Sequence, residues 1–487
     1  MLYIIFFSFI KNIRLLIKWG SYTILLICSI SICHAQPNQV NWKTLNQAGT
    51  QNALNSEPKE ALIYYNKALQ LTDKNDTLKR VTLFNIGKMQ LWLEQYQKAE
   101  LTYNSLLKMP LDNQDHELAL AGLVKSLAYQ DKPRYGYNSI PENLHYTLPN
   151  MVLAATQAAL WSDWSGKAKK ISDNNQSILK QVDPKSTLYR DLKEVTYATN
   201  AETAKNKIIP SYEFEHDNDG TTIMHYNLEA FRSFFPDFSA GLGFTSTAIS
   251  NNNQRIHGEN LFAEVMQRIN DYINYQAKIG YSTFDSWNHT LWSANLGIQP
   301  NDIISFSFSN QQENVETIAA INNKTTFNTT QIKATISPIY RLKISGSIFY
   351  GMFSDDNNRT GYFASANYLL FDKIGLSTEI RARGYHSSKT DTVGYFNPAN
   401  LEEQDLILKL NHRLLTNWKY YVTLCILGHQ EISPGDTTSP KFIEVGINGF
   451  ITKNLLLNAS YGYSNSNFST AEGYGRHYGM IALQVLF

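Results

Sequence analysis

Cysteine is scarce in this chain and charge is thin. Three cysteines occur among 487 residues, and two of them, Cys28 and Cys33, fall within the first 35. Loss of that leader would leave Cys425 alone, which excludes a disulfide or a cysteine metal cluster within the remaining chain. Charged residues make up 17%, against the roughly 25% usual in soluble domains. Lys+Arg number 43 and Asp+Glu 42, so the basic surplus that nucleic-acid binding requires is missing and no nucleic-acid partner is expected. Apolar runs of ~20 residues are absent after residue 35, which excludes a bundle of membrane helices. A membrane β-barrel stays open, because its strands are only half apolar. Catalytic signatures are missing as well: there is no G-x-S-x-G, no H-E-x-x-H, no phosphate loop and no Cys or His cluster. We therefore read the chain as a non-enzyme with no cofactor and no metal.

What the chain does hold is an N-terminal leader. Lys11, Arg14 and Lys18 precede an apolar run from Tyr22 to Ile32, and Cys33-His34-Ala35 places small residues at −3 and −1 before Gln36. This is the pattern of an export signal over residues 1–35. A retained anchor is the alternative. Ile precedes both Cys28 and Cys33, which disfavours a lipoprotein site.

From residue 36 to about 200 the pattern is helical and repeated. Gly49, Ala61, Tyr65 and Ala68 recur as Gly87, Ala99, Tyr103 and Leu106, displaced by 38 with the internal spacing 12, 4 and 3 unchanged. Those are the small and aromatic positions of a tetratricopeptide helix pair: Gly and Ala let antiparallel helices approach, and Tyr fills the groove between pairs. Pro110 ends the second unit. A helix is expected over 117–130, and 151–179 reads as a degenerate further unit with a break at Gly166 and Ala168 as its small residue. Such repeats present a concave surface that binds proteins or peptides.

After Ile208 the period changes to two. Tyr212-Glu213-Phe214-Glu215, Tyr226-Asn227-Leu228-Glu229 and Leu376 to Arg381 alternate apolar and polar residues, as half-buried strands do. Turn clusters such as Asp217-Asn218-Asp219-Gly220 and Asp355-Asp356-Asn357-Asn358 separate them. Sixteen strands are expected across 207–487, about 18 residues apiece with their turns, which suits ~9–11-residue membrane strands plus connections. The last strand, Tyr478 to Phe487, carries an apolar face and ends the chain on an aromatic residue. The predicted architecture is α+β in two domains: tetratricopeptide-like helical repeats over 36–200, and a 16-stranded antiparallel transmembrane β-barrel over 207–487.

This combination resembles the PgaA/BcsC-like exopolysaccharide export porins, above all the poly-N-acetylglucosamine exporters. Ile209 to Gly220 is similar to the first barrel hairpin of that family, with its acidic strand end and Asp-x-Asp-Gly turn, and Gly394-Tyr395-Phe396-Asn397-Pro398 is similar to an aromatic element before a late strand. The resemblance implies an outer-membrane protein with its helical repeats in the periplasm, exporting a poly-β-1,6-N-acetylglucosamine-like polymer during biofilm matrix production. Its expected partners are the exopolysaccharide, outer-membrane lipid, and periplasmic polysaccharide-modifying or synthase components. The chain departs from the family in carrying fewer repeats. A barrel-anchored surface receptor or periplasmic assembly scaffold is the alternative function.

Strand parity nominates the substrate path. If Tyr212, Phe214, Tyr226 and Leu228 face lipid, then Glu213, Glu215, Asn227 and Glu229 face the lumen, and by the same count so do Glu264, Glu379, Arg381 and Arg383. Residues 207–487 hold 20 Lys+Arg against 25 Asp+Glu, a negative balance that would favour a cationic polymer. Trp287, Trp292 and Trp418 are read either as sugar-stacking groups or as interfacial girdle residues.

Overall fold

The computed structural model describes residues 41–487 apart from 73–74, 286, 391, 393, 416, 434 and 467–474. The export signal assigned to 1–35 lies outside the described residues.

Among the described residues ten helices precede the barrel: α1 (Trp42–Leu54), α2 (Pro58–Leu69), α3 (Asp76–Trp92), α4 (Tyr96–Leu107), α5 (Asn113–Ala128), α6 (Pro133–Asn138), α7 (Pro149–Trp161), α8 (Ser165–Asn174), α9 (Gln176–Leu179) and α10 (Thr187–Thr203). The first eight form four antiparallel hairpins closed by the same turn. Ser56, Glu94, Asp131 and Asp163 adopt left-handed φ of 58–62°. The next residue then donates its amide five residues back, as Glu57 does to Asn52 (2.9 Å), Gln95 to Gln90 (2.8 Å), Lys132 to Leu127 (3.1 Å) and Trp164 to Ala159 (2.9 Å). This is the Schellman closure, which satisfies otherwise orphaned helix carbonyls. Four residues beyond each amide donor sits a small buried residue, Ala61, Ala99, Gly136 or Ala168, where the second helix crosses the first.

The expected packing residues meet as pairs. A Cβ on Gly49 would stand 2.7 Å from the Tyr65 ring, and one on Gly87 2.7 Å from Tyr103; Ala61, Ala68 and Ala99 are fully buried. Tyr103 also covers Gly122 of the next hairpin, where a Cβ would approach to 2.3 Å, so one ring ties two hairpins together. The expected break at Gly166 is corrected: Gly166 lies in the first turn of α8, the break falls at 162–164, and its missing side chain instead admits Pro236 of the barrel.

Sixteen long antiparallel strands close into a barrel: β1 (Asn206–Asp217), β2 (Thr222–Phe235), β3 (Phe238–Ser250), β4 (Arg255–Arg268), β5 (Ile273–Phe284), β6 (Trp287–Ile298), β7 (Ile304–Asn314), β8 (Thr326–Ile339), β9 (Leu342–Phe353), β10 (Asn358–Phe371), β11 (Leu376–Ser387), β12 (Asn400–Leu415), β13 (Trp418–Ser433), β15 (Phe442–Thr452), β16 (Leu455–Ser464) and β17 (Arg476–Leu486). A three-residue strand, β14 (Asp436–Thr438), pairs antiparallel with the end of β13, and β1 pairs with both β2 and β17 to complete the ring. Strand β12 begins at Asn400, four residues before the alternation becomes visible at Gln404. A short helix, α11 (Ile318–Asn322), lies between β7 and β8, where the sequence pattern showed none.

Large apolar side chains stand exposed around the outer face, among them Leu228, Leu242, Leu261, Ile279, Ile348 and Ile380, each at least 51% accessible. A circumference of exposed Leu and Ile is stable only against hydrocarbon, so the barrel spans a membrane. Connections at the rim bearing α10 and Phe487 are all short, and the long ones, β7–β8, β11–β12, β13–β15 and β16–β17, all lie at the far rim.

Gly122→Leu should force the Tyr103 ring from its seat and destabilise the helical domain by about 1–3 kcal/mol, the range for overpacking. Thermal unfolding should show a lowered first transition while the barrel keeps its resistance to SDS.

Candidate functional site: the barrel lumen and its two mouths

Alternation along each strand sends every second side chain inward, and the register brings the nominated residues to one wet interior. Glu213 accepts from Asn227 Nδ2 at 3.2 Å, and Glu215 pairs with Arg476 at 3.2 Å. Glu264 accepts from Gln276 at 2.6 Å, while Glu379 pairs with Lys409 at 2.7 Å. Arg381 bonds Asp405 at 2.6 Å, and Arg383 pairs with Glu403, which also accepts from Ser466 and Gln430. Glu229 has Lys278, Glu264 and Glu213 as charged neighbours. Most of the nominated charges are thus neutralised across strands.

The sequence reading missed Glu403 and Asp405, the most buried acids of this wall. They sit two apart on β12, opposite Arg383 and Arg381 of β11. Their spacing was the available signal, but the strand was begun one residue too late to include Glu403. Of the three tryptophans, Trp287 packs inward beside Phe284 and stacks on His289 at 3.8 Å. Trp292 and Trp418 follow the outward parity of their strands, opposite Ile279 and Gly449.

At the far mouth the β7–β8 connection folds into the lumen. Ile318 and Ile321 of α11 pack on Ile223, Ile249, Ile256 and Phe284, and Val315 and Ala320 join Phe327, Phe353 and Tyr395. Glu316 pairs with His225 at 3.2 Å. Thr317 donates to the Gly394 carbonyl, and Gly394 adopts φ +108° where a Cβ would strike α11. The Gly394 to Pro398 element is therefore a latch. Tyr395 stacks on Phe353 at 4.3 Å and donates to Asp355 at 2.9 Å, and Arg359 holds the Phe396 carbonyl and Asn397. Asp217 of the first hairpin accepts from the amides of Asp219 (3.0 Å) and Thr221 (2.8 Å), which makes this acidic cluster an Asx turn. Around the plug the lumen is divided into cavities of about 540, 380 and 230 Å³, and Glu316 lines all three.

At the opposite mouth the helical domain lies across the barrel. Asp302, between β6 and β7, accepts the Arg134 and Tyr135 amides at 3.1 and 2.9 Å. The Arg134 guanidinium bonds the Asp271 and Gln299 carbonyls and lies over Trp164, whose indole donates to the Asp271 carbonyl at 3.0 Å. Lys167 pairs with Asp271 at 2.7 Å, and Glu194 with Arg413 at 2.8 Å. Burial raises the Glu194 carboxyl above its usual range, with Arg413 and Lys419 opposing that shift, and raises Asp302 against its two amide donors. Tyr340 of the β8–β9 turn and Phe450 near the end of β15 meet Tyr96 and Tyr197. The contacts are distributed around the rim, so the domain is docked and not merely tethered.

No protein-family model matches the chain, and no curated protein matches it. Solved barrels do. A structure described as a bacterial polysaccharide outer membrane secretin superposes with a TM-score of 0.51 at 13% identity, covering 58% of this chain and 99% of that one. Weaker likenesses include CdiB from Acinetobacter baumannii (TM-score 0.38, 12% identity, 57% and 60% covered) and Pseudomonas aeruginosa OccK11 (TM-score 0.33, 8% identity, 58% and 94% covered). At these identities the first likeness shows a shared fold.

Replacing residues 316–323 by a short Gly/Ser linker should raise single-channel conductance in planar bilayers several-fold, because it removes the only α-helix described inside the far half of the lumen. Glu316→Gln should give intermittent openings in the same recording. Unchanged conductance would place the constriction elsewhere.

Proposed function

We propose that this protein is an outer-membrane export porin for an exopolysaccharide, a non-catalytic conduit whose helical domain faces the periplasm. The observation that carries this reading is the helical domain docked across one mouth of a polar-lined membrane barrel. A general diffusion pore gains nothing from such a cover, whereas a conduit fed from one side gains a receiving surface at its entrance. The lumen suits a sugar chain: carboxylates, amides and guanidinium groups are held by neighbours in the wall, so they offer hydrogen bonds without a strong trap. Glu213, Glu215, Asn227, Glu229, Glu264, Glu379, Arg381 and Arg383 are the residues we assign to that path. The likeness to a polysaccharide secretin supports the fold this reading needs. The resemblance in sequence motifs supports a poly-N-acetylglucosamine-like polymer of a biofilm matrix, and tetratricopeptide-like hairpins support recruitment of a polymer-modifying or synthase component.

The plug favours a second reading. A barrel closed by α11 would serve equally as the anchor of a surface receptor or assembly scaffold.

Deleting the gene should abolish one secreted polysaccharide, identified by composition and linkage, and leave it accumulating in the periplasm. The full chain should restore secretion and residues 204–487 alone should not. Unchanged secretion of every polymer, under conditions where the protein is made, would overturn export and leave the anchor reading.

A further inference from the structure

The helix-side mouth carries an aromatic strip that neither the repeat packing nor the barrel wall requires. Four rings arrive from four separate elements: Tyr340 from the β8–β9 turn, Tyr96 from the start of α4, Tyr129 from the end of α5 and Trp161 from the end of α7. Tyr96 stacks on Tyr129 with centroids 5.2 Å apart and planes 23° apart. Tyr340 meets the edge of Tyr96 at 5.7 Å, and Trp161 meets that of Tyr129 at 5.5 Å. The strip runs between two cavities. One of about 640 Å³ is lined by Tyr340 with the lumenal β9–β13 wall, and one of about 520 Å³ by Trp161 with the β2–β5 wall.

Its Trp161 end is open where a plain interface would bury it, and at its other end Tyr340 is half-buried, with a hydroxyl that is enclosed and has no hydrogen-bond partner among the described residues. Trp161 keeps 44% of its surface accessible with the domain docked. The Tyr340 cavity is cationic, lined by Arg341, Lys343, Lys373, Arg413 and Lys419 against Asp131 and Asp372. Arg413 is engaged with Glu194.

We propose that this strip is a glycan-binding site at the pore entrance, on which pyranose rings stack as a chain passes from the helical domain into the lumen, and that the cationic cavity at the Tyr340 end selects sugars bearing acceptor groups, acetamido carbonyls or carboxylates, over free amines. The proposal rests on the export reading. Aromatic faces give the C–H side of a pyranose an apolar partner while a polar rim holds its hydroxyls, the usual composition of a small-molecule site. Lysine and guanidinium groups donate to carbonyl and carboxylate oxygens and repel ammonium groups. The negative balance of the barrel as a whole, which pointed to a cationic polymer, is thus reversed at the mouth where the chain would enter.

The test uses the full-length protein in detergent, titrated with hexamers of N-acetylglucosamine, glucosamine and galacturonate by calorimetry and tryptophan fluorescence. The N-acetylated or the uronate hexamer should bind at least tenfold more tightly than the glucosamine hexamer, and which of the two binds better identifies the acceptor. Trp161→Ala and Tyr340→Ala should each weaken that binding tenfold or more. Tyr340→Phe, which keeps the ring and the docking, should bind as the parent does. Lys343→Gln with Lys419→Gln should erase the preference over glucosamine. Tighter binding of glucosamine, or binding indifferent to Trp161 and Tyr340, overturns the inference while export stands. So does absence of all binding by a protein whose deletion still stops secretion of a polymer. Absence of binding together with unchanged secretion overturns the export reading itself.

Discussion

A polypeptide in hydrocarbon must pair every backbone N–H and C=O within itself, and the rest of this structure follows from how that is done. The seam between β1 and β17 closes the ring, in register from Lys207 opposite Leu486 to Asp217 opposite Arg476. Beyond it, Asn206 and Phe487 exchange backbone hydrogen bonds at 2.9 and 3.1 Å. Closure fixes parity for all sixteen strands at once. A slip of one residue at the seam would turn Glu213 and Glu215 toward lipid and Tyr212 and Phe214 toward water. Where parity does change, a bulge absorbs it: opposite Leu406 and Ile407, β13 carries one residue more, so that Ile426 and Leu427 both stand exposed while Cys425 is buried.

Closure also decides what the interior can hold. Glu403 and Asp405 have fully buried side chains, which is tolerable for carboxylates only with partners close by. Arg381 and Arg383 supply them from the neighbouring strand, and Ser466 and Gln430 complete the shell around Glu403. This wall is built as a rigid, self-neutralised surface. The two mouths are built differently. The far one is filled by a latched helix of the chain itself, and the near one is spanned by a separate domain through Asp302, Arg134 and Lys167.

The barrel was legible because period-two alternation and turn chemistry are local properties. The sixteen strands expected across 207–487 are found there, and Glu213, Glu264 and Arg381 took their inward parity from a count of two. The Gly49–Tyr65 and Gly87–Tyr103 pairs were legible for the same reason, since their spacing lies within one hairpin. The third and fourth hairpins were harder: they keep the left-handed turn at Asp131 and Asp163 but lose the glycine and tyrosine, and φ leaves little trace when Asp or Glu supplies it. Contacts between distant segments left no signal at all. Nothing in the residues around Glu316 announces His225, and nothing in Tyr340 announces Tyr96. α11 is five residues long, too short for a helical period to be read.

Between Thr203, where α10 ends, and Asn206, where β1 begins, only Ala204 and Lys205 intervene. The helical domain contacts are between neighbouring elements, whereas the seam joins strands at opposite ends of a 282-residue stretch. Local contacts form quickly and long-range strand pairing slowly. Contact order thus favours completing the domain ahead of the seam, and the domain is attached by a leash two residues long to one of the two strands that form that seam. Biogenesis of this protein is then a problem of docking a growing sheet onto a prefabricated base, and the time at which the ring closes is also the time at which its near mouth is covered.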